Sequence, residues 1–224
     1  RSDRGHVDLP RLRAGNVAVQ VFTTVTKTPA GMNYDRNDAG ARDNITLLVM
    51  GQLRPVKTWF SLAERALDQA ARLAAMAEAA PDQLVVVRTG TDLDRVLAAR
   101  AEGAETVAGI LGAEGGHVLE GRIETLDRLY DAGFRLLGLT HFFDNELGGS
   151  LHGEGGTGLT PFARPQYTAA QNSRTPGPVR VVGGTAGGGH ATETWVRPVT
   201  MPGSGVMASI FSTIHLGEDG ITVI

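Results

Sequence analysis

The chain has 224 residues, of which 42% are hydrophobic and 20% charged, a composition typical of one globular domain with a sizeable core. Its formal net charge of −3 gives no electrostatic reason to expect binding to nucleic acid or to an anionic membrane. It contains no cysteine, which excludes disulfides, thiolate metal sites and cysteine nucleophiles.

Neither a membrane span nor a targeting segment is recognisable in the sequence. Crossing a bilayer as a helix takes an apolar run of about 20 residues, and the sequence has no such run. No signal peptide is visible, but the chain begins at Arg1 rather than at methionine, so this observation leaves the compartment open. We therefore expect a soluble protein of undetermined location.

The first part of the chain predicts two strands separated by helices. In order, the predicted elements are a strand in residues 16–25, a polar loop in 27–42, a short helix in 43–53, a long helix from Ser61 and a short strand in 83–88. Ser61 and Glu64 have the spacing of a capping box, which marks the start of the long helix. Pro81 follows the end of its apolar stripe.

The next part of the chain repeats the alternation of helix and strand. The predicted elements are a helix capped by Thr91 and Asp94, a buried strand in residues 106–111, a helix in 122–131 ended by Gly133, and a strand in 134–140. The whole order is β-α-β-α-β-α-β with short turns, which predicts a parallel sheet with helical crossovers. Such an order is about the first half of a (β/α)8 TIM-type barrel, or most of a small doubly wound sheet.

The composition changes after about residue 163. Residues 164–205 are rich in Gly, Pro, Thr and Arg and show neither helical nor strand periodicity, whereas residues 206–214 and 221–224 are apolar enough for short strands. We therefore expect a partial barrel domain over residues 1–163 and an irregular Gly/Pro-rich tail over residues 164–224.

Two residues with useful chemistry directly follow predicted strands. Glu114 follows the apolar strand at 106–111, and His141 follows the strand at 134–140. Successive parallel strands end at the same edge of a sheet, and in barrels and open α/β sheets that edge carries ligands and catalysis. A carboxylate and an imidazole at this edge favour a metal site or an acid–base site, although a turn acid and an ordinary strand-end histidine remain equally compatible with the spacing.

Other candidate sites have weaker support. His6 and Asp8 form an H-x-D pair that could bind zinc, but the charged residues before it predict no strand to support it. The glycine runs at 153–158 and 183–189 lack the Gly-Lys-Ser/Thr ending of a phosphate-binding loop.

The remaining polar and aromatic candidates lie in loop-like surroundings. They are His152, His190 and His215, the aromatic pair Phe142 and Phe143, and the acids Asp144 and Glu146. One of the histidines could be a metal ligand and the aromatic pair could wall a pocket, but exposed histidines, core aromatics and solvated acids are the more common outcomes.

Several segments also match a known family in sequence and in order. The matching residues are Leu9-Pro10-Arg11-Leu12-Arg13-Ala14-Gly15-Asn16-Val17, Gly112-Ala113-Glu114-Gly115-Gly116-His117, Leu129-Tyr130-Asp131-Ala132-Gly133-Phe134-Arg135, Leu139-Thr140-His141 and Gly158-Leu159-Thr160-Pro161-Phe162. Together they resemble the membrane dipeptidase family, also called renal dipeptidase, and residues 144–150 resemble a bacterial branch of it. The resemblance covers about residues 5–163.

The resemblance implies a fold, a cofactor and two site residues. The family consists of zinc-dependent (β/α)8 barrels that hydrolyse dipeptides at a site with two zinc ions bridged by a glutamate. The resemblance places the bridging carboxylate on Glu114, and on His141 the histidine that contacts the substrate and stabilises the tetrahedral intermediate. Two metals would lower the pKa of a shared water and polarise the scissile carbonyl.

Not every position of the family pattern is present. The family's H-x-D ligands precede the segment matched by residues 9–17, so the role does not pass to His6 and Asp8. The family's second pair of zinc-binding histidines and its catalytic aspartate follow the position of Phe162, where this sequence has no similar strand.

Three hypotheses for function follow. The first is a zinc dipeptidase, represented by an incomplete chain, acting on a small dipeptide. The second is a half-barrel without activity, either inert or a partner in an assembly such as a homodimer, because uncovered strand edges favour association. The third is another metal-dependent barrel amidohydrolase, which the absence of an H-x-H strand motif makes weaker.

Overall fold

The computed structural model describes residues 7–155 and 158–163 in full and the backbone of four strands beyond them. The helices are α1 (Leu9–Ala14), α2 (Asn44–Gly51), α3 (Lys57–Phe60), α4 (Leu62–Ala79), α5 (Gly90–Ala101) and α6 (Thr125–Ala132), with a 3-10 helix at Gly116–Leu119. The strands are β1 (Val19–Thr24), β2 (Leu84–Val86), β3 (Val107–Ala113), β4 (Phe134–Gly138), β5 (Arg180–Thr185), β6 (Ala191–Val196), β7 (His215–Gly217) and β8 (Gly220–Thr222).

Strand β3 is the centre of a parallel sheet. One edge of β3 pairs with β1 along its whole length, from Val19 opposite Ala108 to Thr24 opposite Ala113. The other edge is shared, because β2 pairs with the first half of β3 and β4 with its last residues. The prediction of a parallel sheet is confirmed, and the fold is mixed α/β.

The position of β2 differs from the regular alternation predicted from the sequence. In a regular barrel, each strand lies beside the strands that precede and follow it in the chain, which would place β2 between β1 and β3. Instead β2 lies off the path β1-β3-β4. The continuous pairing of β1 with β3 fills that edge, and three residues are too few for β2 to pair with more than one end of β3.

The caps of two helices refine the sequence prediction. At the start of α4, the Ser61 hydroxyl accepts a hydrogen bond from the Glu64 amide at 3.2 Å, and the Glu120 carboxylate accepts one from the Leu62 amide, the first of the helix, at 2.8 Å. The Glu64 carboxylate pairs with Arg128, at 2.5 Å. The predicted capping box is therefore only half right, because Lys57 and Arg128 both pair with the Glu64 carboxylate that would complete it.

The cap of α5 lies two residues earlier than predicted. Thr89 and Asp92, rather than Thr91 and Asp94, form a complete capping box, in which the Thr89 hydroxyl accepts from the Asp92 amide and the Asp92 carboxylate accepts from the Thr89 amide. Both pairs have the same spacing in the sequence. Because β2 is short, the chain turns into α5 at the earlier pair, Thr89 and Asp92. At the end of α6, Gly133 has φ of 109°, as expected for a residue that stops a helix.

A buried apolar layer joins the sheet to the long helix. Helix α4 contributes the small residues Ala66 and Ala70 together with Leu73, and these pack in one cluster with β3 residues such as Val107 and Leu111. Small side chains on this face allow the helix to pack closely against β2 and against the 3-10 helix that follows Glu114.

Two strands lie where the sequence predicted an irregular tail. Strand β6 pairs antiparallel with β4, and β5 pairs with β6. The prediction of no strand in residues 164–205 is therefore wrong at 180–185 and 191–196, where Val and Thr residues favour extended backbone despite the nearby glycines. Strand β8 overlaps the strand predicted at 221–224, and residues 206–214 lie outside the described part.

Candidate active site

Glu114 and His141 meet at the carboxyl edge of the parallel sheet. Glu114 directly follows β3, and its amide donates a hydrogen bond to the Thr24 carbonyl at the end of β1, at 3.0 Å. His141 lies three residues beyond β4. The His141 Nε2 is 3.3 Å from the Glu114 Oε2, and the two side chains are 22% and 19% exposed. Both groups are therefore reachable from solvent and close enough to act on one molecule.

The protonation of His141 suits a neutral donor. Burial lowers the pKa of the imidazole, the carboxylate of Glu114 raises it, and His152 lowers it, so that the net shift is downward from 6.5. The imidazole is therefore neutral near pH 7. A neutral ring with its proton on Nε2 can donate a hydrogen bond either to Glu114 or to a molecule bound beside it.

Two glycines allow the turn that follows Glu114. Gly115 has φ of +102°, and a Cβ there would lie 2.5 Å from the His117 ring and 3.3 Å from the His141 Cβ. A Cβ on Gly116 would lie 2.2 Å from the Leu147 Cδ1. Both glycines are therefore favoured by the close packing around the turn, and Gly115 also by its positive φ.

His117 is a part of the site to which the sequence analysis gave no role. Its side chain is 4% exposed, and neither ring nitrogen has a hydrogen-bond partner within the described residues. The ring centroid lies 4.7 Å from that of Phe143. Burial, with contributions from His141 and Lys27, lowers the pKa of His117 to about 3 against the opposing charge of Asp43. The sequence feature that could have identified His117 was its position in the turn after β3.

Aromatic rings extend the site from His141 outward. The Phe142 ring meets the His141 ring edge-on at 4.8 Å and stacks on the His152 ring at 4.9 Å. The centroid of the Tyr34 ring lies 5.6 Å from that of Phe142 and 5.9 Å from that of His152. His152 Nδ1 lies 2.5 Å from the Tyr34 carbonyl oxygen. His152, a possible ligand from sequence, therefore has one ring nitrogen committed to the loop.

The buried amide of Asn37 ties together the two loops that carry these rings. Its side-chain nitrogen donates to the carbonyl oxygens of Phe142 and His152 at 2.9 and 3.0 Å. On the other loop, the Ser150 hydroxyl donates to the His141 carbonyl at 2.5 Å. Sequence reasoning treated residues 27–42 only as a long polar loop, and the structure gives that loop a role in fixing the backbone around His141.

The acids after His141 differ in role. The Asp144 carboxylate accepts hydrogen bonds from the amides of Ser150, Glu154 and Gly155 at 2.7, 2.9 and 2.5 Å, so it shapes its own loop. Glu146 is exposed, as expected for a solvated acid.

The predicted H-x-D pair does not reach this site through Asp8. The Asp8 side chain caps α1 by accepting from the Arg11 amide at 2.8 Å, and it also pairs with the Arg11 guanidinium. His6 and His190 lie outside the described residues, and His215 begins β7.

The described residues bring too few donor side chains together to hold a metal ion. A catalytic zinc normally has three protein ligands. Within residues 7–155 and 158–163, no group of three or more histidine, aspartate or glutamate side chains is arranged to hold a metal. Glu114 has suitable chemistry for a ligand, but these residues do not form a metal site by themselves.

The fold and the Glu114 turn agree with a family of peptidases. The family model described as Membrane dipeptidase (Peptidase family M19) matches residues 1–165, and the chain belongs to this family. The resemblance stated from the sequence is thereby confirmed. Membership in a metallopeptidase family implies a metal cofactor.

Solved structures show a similar fold. A metallopeptidase from Rhodobacter sphaeroides, liganded with a phosphinate mimic of the dipeptide L-Ala-D-Ala, is 20% identical with a TM-score of 0.50, covering 75% of this chain and 48% of its own. The dipeptidase AC, a metallopeptidase of family M19, is 23% identical with a TM-score of 0.52, covering 75% of this chain and 46% of its own. An amidohydrolase from Pseudomonas aeruginosa is 16% identical and covers 46% of this chain and 30% of its own, but its TM-score of 0.39 is too low to indicate a shared fold.

Two further findings define the extent of the likeness. The chain spans about half or less of the length of these solved structures. No curated protein matches the chain.

Among the helices of the described residues, none combines the length and the apolar character needed to cross a membrane.

Proposed function

We propose that this chain is part of a zinc-dependent dipeptidase, a hydrolase that cleaves the peptide bond of a dipeptide with metal-activated water. The family match over residues 1–165 supports the class of reaction. The single observation that carries the proposal is the 3.3 Å contact of Glu114 with His141 at the carboxyl edge of a parallel sheet. That edge is where α/β enzymes place their catalytic groups.

The proposal assigns a separate role to each of the two residues. Glu114 would be a carboxylate ligand that helps to hold zinc, and bound zinc would supply an activated water and polarise the carbonyl. His141 would donate a hydrogen bond to the oxygen of the scissile carbonyl as negative charge develops there. The other ligands would have to come from residues outside the described part.

The proposal also includes a fold and a domain boundary. We take the parallel strands β3 and β4, which are neighbours both in the chain and in the sheet, as adjacent strands of a (β/α)8 barrel, of which this chain supplies about the first half. The boundary would lie near residue 163, where the family match also stops. Residues 164–224 would then be an appended segment.

A first prediction tests the role of Glu114. The purified full chain, supplied with zinc, is assayed against a panel of dipeptides. Glu114→Gln preserves the shape of the side chain but removes the charge that a carboxylate ligand needs. We expect kcat to fall roughly 10²-fold or more, comparable to the loss of a major transition-state contact. Release of free amino acids, followed over time at saturating zinc, measures the effect.

The matched control is Glu102→Gln, which changes an exposed glutamate at the end of α5. This variant should keep the wild-type rate, and circular dichroism should show both variants folded. Unchanged hydrolysis in folded Glu114→Gln would exclude the role of a zinc ligand.

An inactive half-barrel is the second candidate, since no ligand group of three is present among the described residues. Calorimetric titration with zinc discriminates between the candidates. Two tight sites per chain would exclude this second candidate, whereas weak or single-site binding together with no hydrolysis would favour it.

A homodimer is a further part of the proposal. Large apolar side chains around α2 and α3 are exposed, including Leu53 at 86% and Phe60 at 78%. Such side chains favour association. We expect multi-angle light scattering to give twice the chain mass, and Phe60→Ser to shift the population toward monomer. A monomeric wild-type chain at about 100 μM would contradict a homodimer with a dissociation constant of about 10 μM or tighter.

A further inference from the structure

A cavity of about 410 Å³ lies beside the Glu114–His141 pair, and neither residue lines it. The loop after β1, the start of α4, the 3-10 helix and the loop after β4 form its walls. The lining residues used below are Lys27, Leu62, His117, Phe143, Asp144 and Glu146. Its volume falls in the range of small-molecule sites.

The cavity contains opposite charges that do not neutralise each other. The Lys27 ammonium donates to the Ala39 carbonyl at 2.6 Å and lies 5.3 Å from the centre of the Phe143 ring. In the part of the chain that the structure describes, Lys27 makes no ion pair with a carboxylate, and neither do Asp144 and Glu146 with a cation. Two of the three donor positions of the ammonium therefore remain for a ligand.

His117 provides an independent indication of a ligand. It lines the cavity, it is more than nine-tenths buried, and both of its ring nitrogens lack partners within the described residues. A buried polar group without a hydrogen bond is destabilising, and native structures rarely leave such a group without a partner. A polar molecule in the cavity that bonded to the imidazole would remove this penalty.

We propose that this cavity binds the zwitterion of an α-amino acid or of a dipeptide, with its carboxylate at Lys27 and its ammonium at Glu146. A simple anion would gain from Lys27 but would meet the Glu146 carboxylate, and a simple cation would meet the Lys27 ammonium. Only a molecule that carries both charges is stabilised at both ends. His117 then donates to or accepts from the polar part of the ligand, and Leu62 and Phe143 contact its side chain.

This site is separate from the proposed hydrolytic site and involves no metal. Its test is therefore a binding measurement on the full chain in the presence of a chelator. The probes are L-alanine, L-alanyl-L-alanine, acetate and methylammonium, each titrated into isotope-labelled protein and followed by NMR chemical shifts. We expect L-alanine or its dipeptide to bind with a dissociation constant on the order of 1 mM, and both single-charge probes to bind at least tenfold more weakly.

Two variants locate the contacts. Lys27→Met removes the ammonium and Glu146→Gln removes an exposed carboxylate, and each should weaken binding of the zwitterion about tenfold, as expected for loss of one charge-assisted contact. Because Glu146 is exposed, its variant remains informative even if Lys27→Met fails to fold. Lys57→Met and Glu102→Gln are the matched controls and should bind as the wild type does.

The outcomes distinguish a free amino acid from a dipeptide as the ligand. They also decide whether the proposal holds. Tighter binding of L-alanine than of the dipeptide assigns the site to free amino acids, and the reverse assigns it to dipeptides; both support the proposal. Absence of saturable shifts with either zwitterion overturns it, as does acetate binding as tightly as L-alanine, or unchanged affinity in folded Glu146→Gln. Loss of hydrolysis in Glu114→Gln with binding retained would concern only the proposed enzyme function.

Discussion

Replacing Arg65 by methionine is expected to lower the free energy of unfolding by about 3–5 kcal/mol, the usual range for removing one partner of a buried ion pair. The Arg65 side chain is 3% exposed, and its guanidinium donates to the Asp43 carboxylate at 2.5 Å. It also donates to the carbonyl oxygens of Thr58 and Thr26 at 2.6 and 2.7 Å. Methionine retains the apolar stem but leaves these acceptors buried without a donor.

The matched control for this prediction is Arg128→Met. Arg128 is 50% exposed and pairs with Glu64 at 2.5 Å, and exposed pairs contribute about 0–1 kcal/mol. Urea unfolding, followed by circular dichroism, measures both variants on the same chain. A loss below about 1 kcal/mol in Arg65→Met would contradict a central role for the buried pair.

Asp43, the partner of Arg65, adds a pH dependence of known sign. Burial raises the pKa of its carboxyl, but hydrogen bonds from Thr28, Arg65, Thr46 and Ile45 outweigh burial, and the pKa falls below 3.8. A carboxyl with a lowered folded pKa contributes stability above its unfolded value, and this contribution is lost as the pH falls further. The Arg65–Asp43 pair therefore remains charged across the neutral and mildly acidic range.

The position of the Glu114–His141 pair could be predicted from the sequence because it depends on one general rule. Apolar runs identified β3 and β4, and parallel strands joined by a helix end at one edge. The residue that follows each strand is therefore placed without knowledge of any loop. The pattern of short apolar runs could not show that β2 pairs with only half of β3.

The surroundings of this pair could not be predicted, because they depend on contacts between loops. The Asn37 amide reaches Phe142 and His152 across more than 100 positions of sequence, and no local pattern indicates it. Arg65 falls in the helical pattern of α4, where a charged residue is ordinarily solvated, and it is buried only because the loop after β1 folds over it. His117 was visible in the sequence, but its burial depends on Phe143 and on the glycine turn.

The stability of the protein is also expected to fall between pH 6.5 and 5, by about 2 kcal/mol through His117 alone. The pKa of His117 is about 3 in the folded chain, against 6.5 for an ordinary histidine. Below pH 6.5 the unfolded chain binds a proton at this histidine and the folded chain does not, so acid favours unfolding. The contribution of neutral His117 to the free energy of unfolding is fully present above pH 6.5. It is lost progressively as the pH falls toward 3.

His117→Phe isolates this effect, because phenylalanine fills a similar volume beside Phe143 and does not titrate. The variant should show a flatter dependence of unfolding free energy on pH between 6.5 and 5, a window above the range in which the lowered carboxyls Asp43 and Asp92 take up protons. His152→Phe is the matched control and should retain the slope due to His117. Identical slopes in wild type and folded His117→Phe would mean that the imidazole is protonated in the folded chain. Burial without hydrogen bonds would then be contradicted, because a charged ring at that position needs a partner or water.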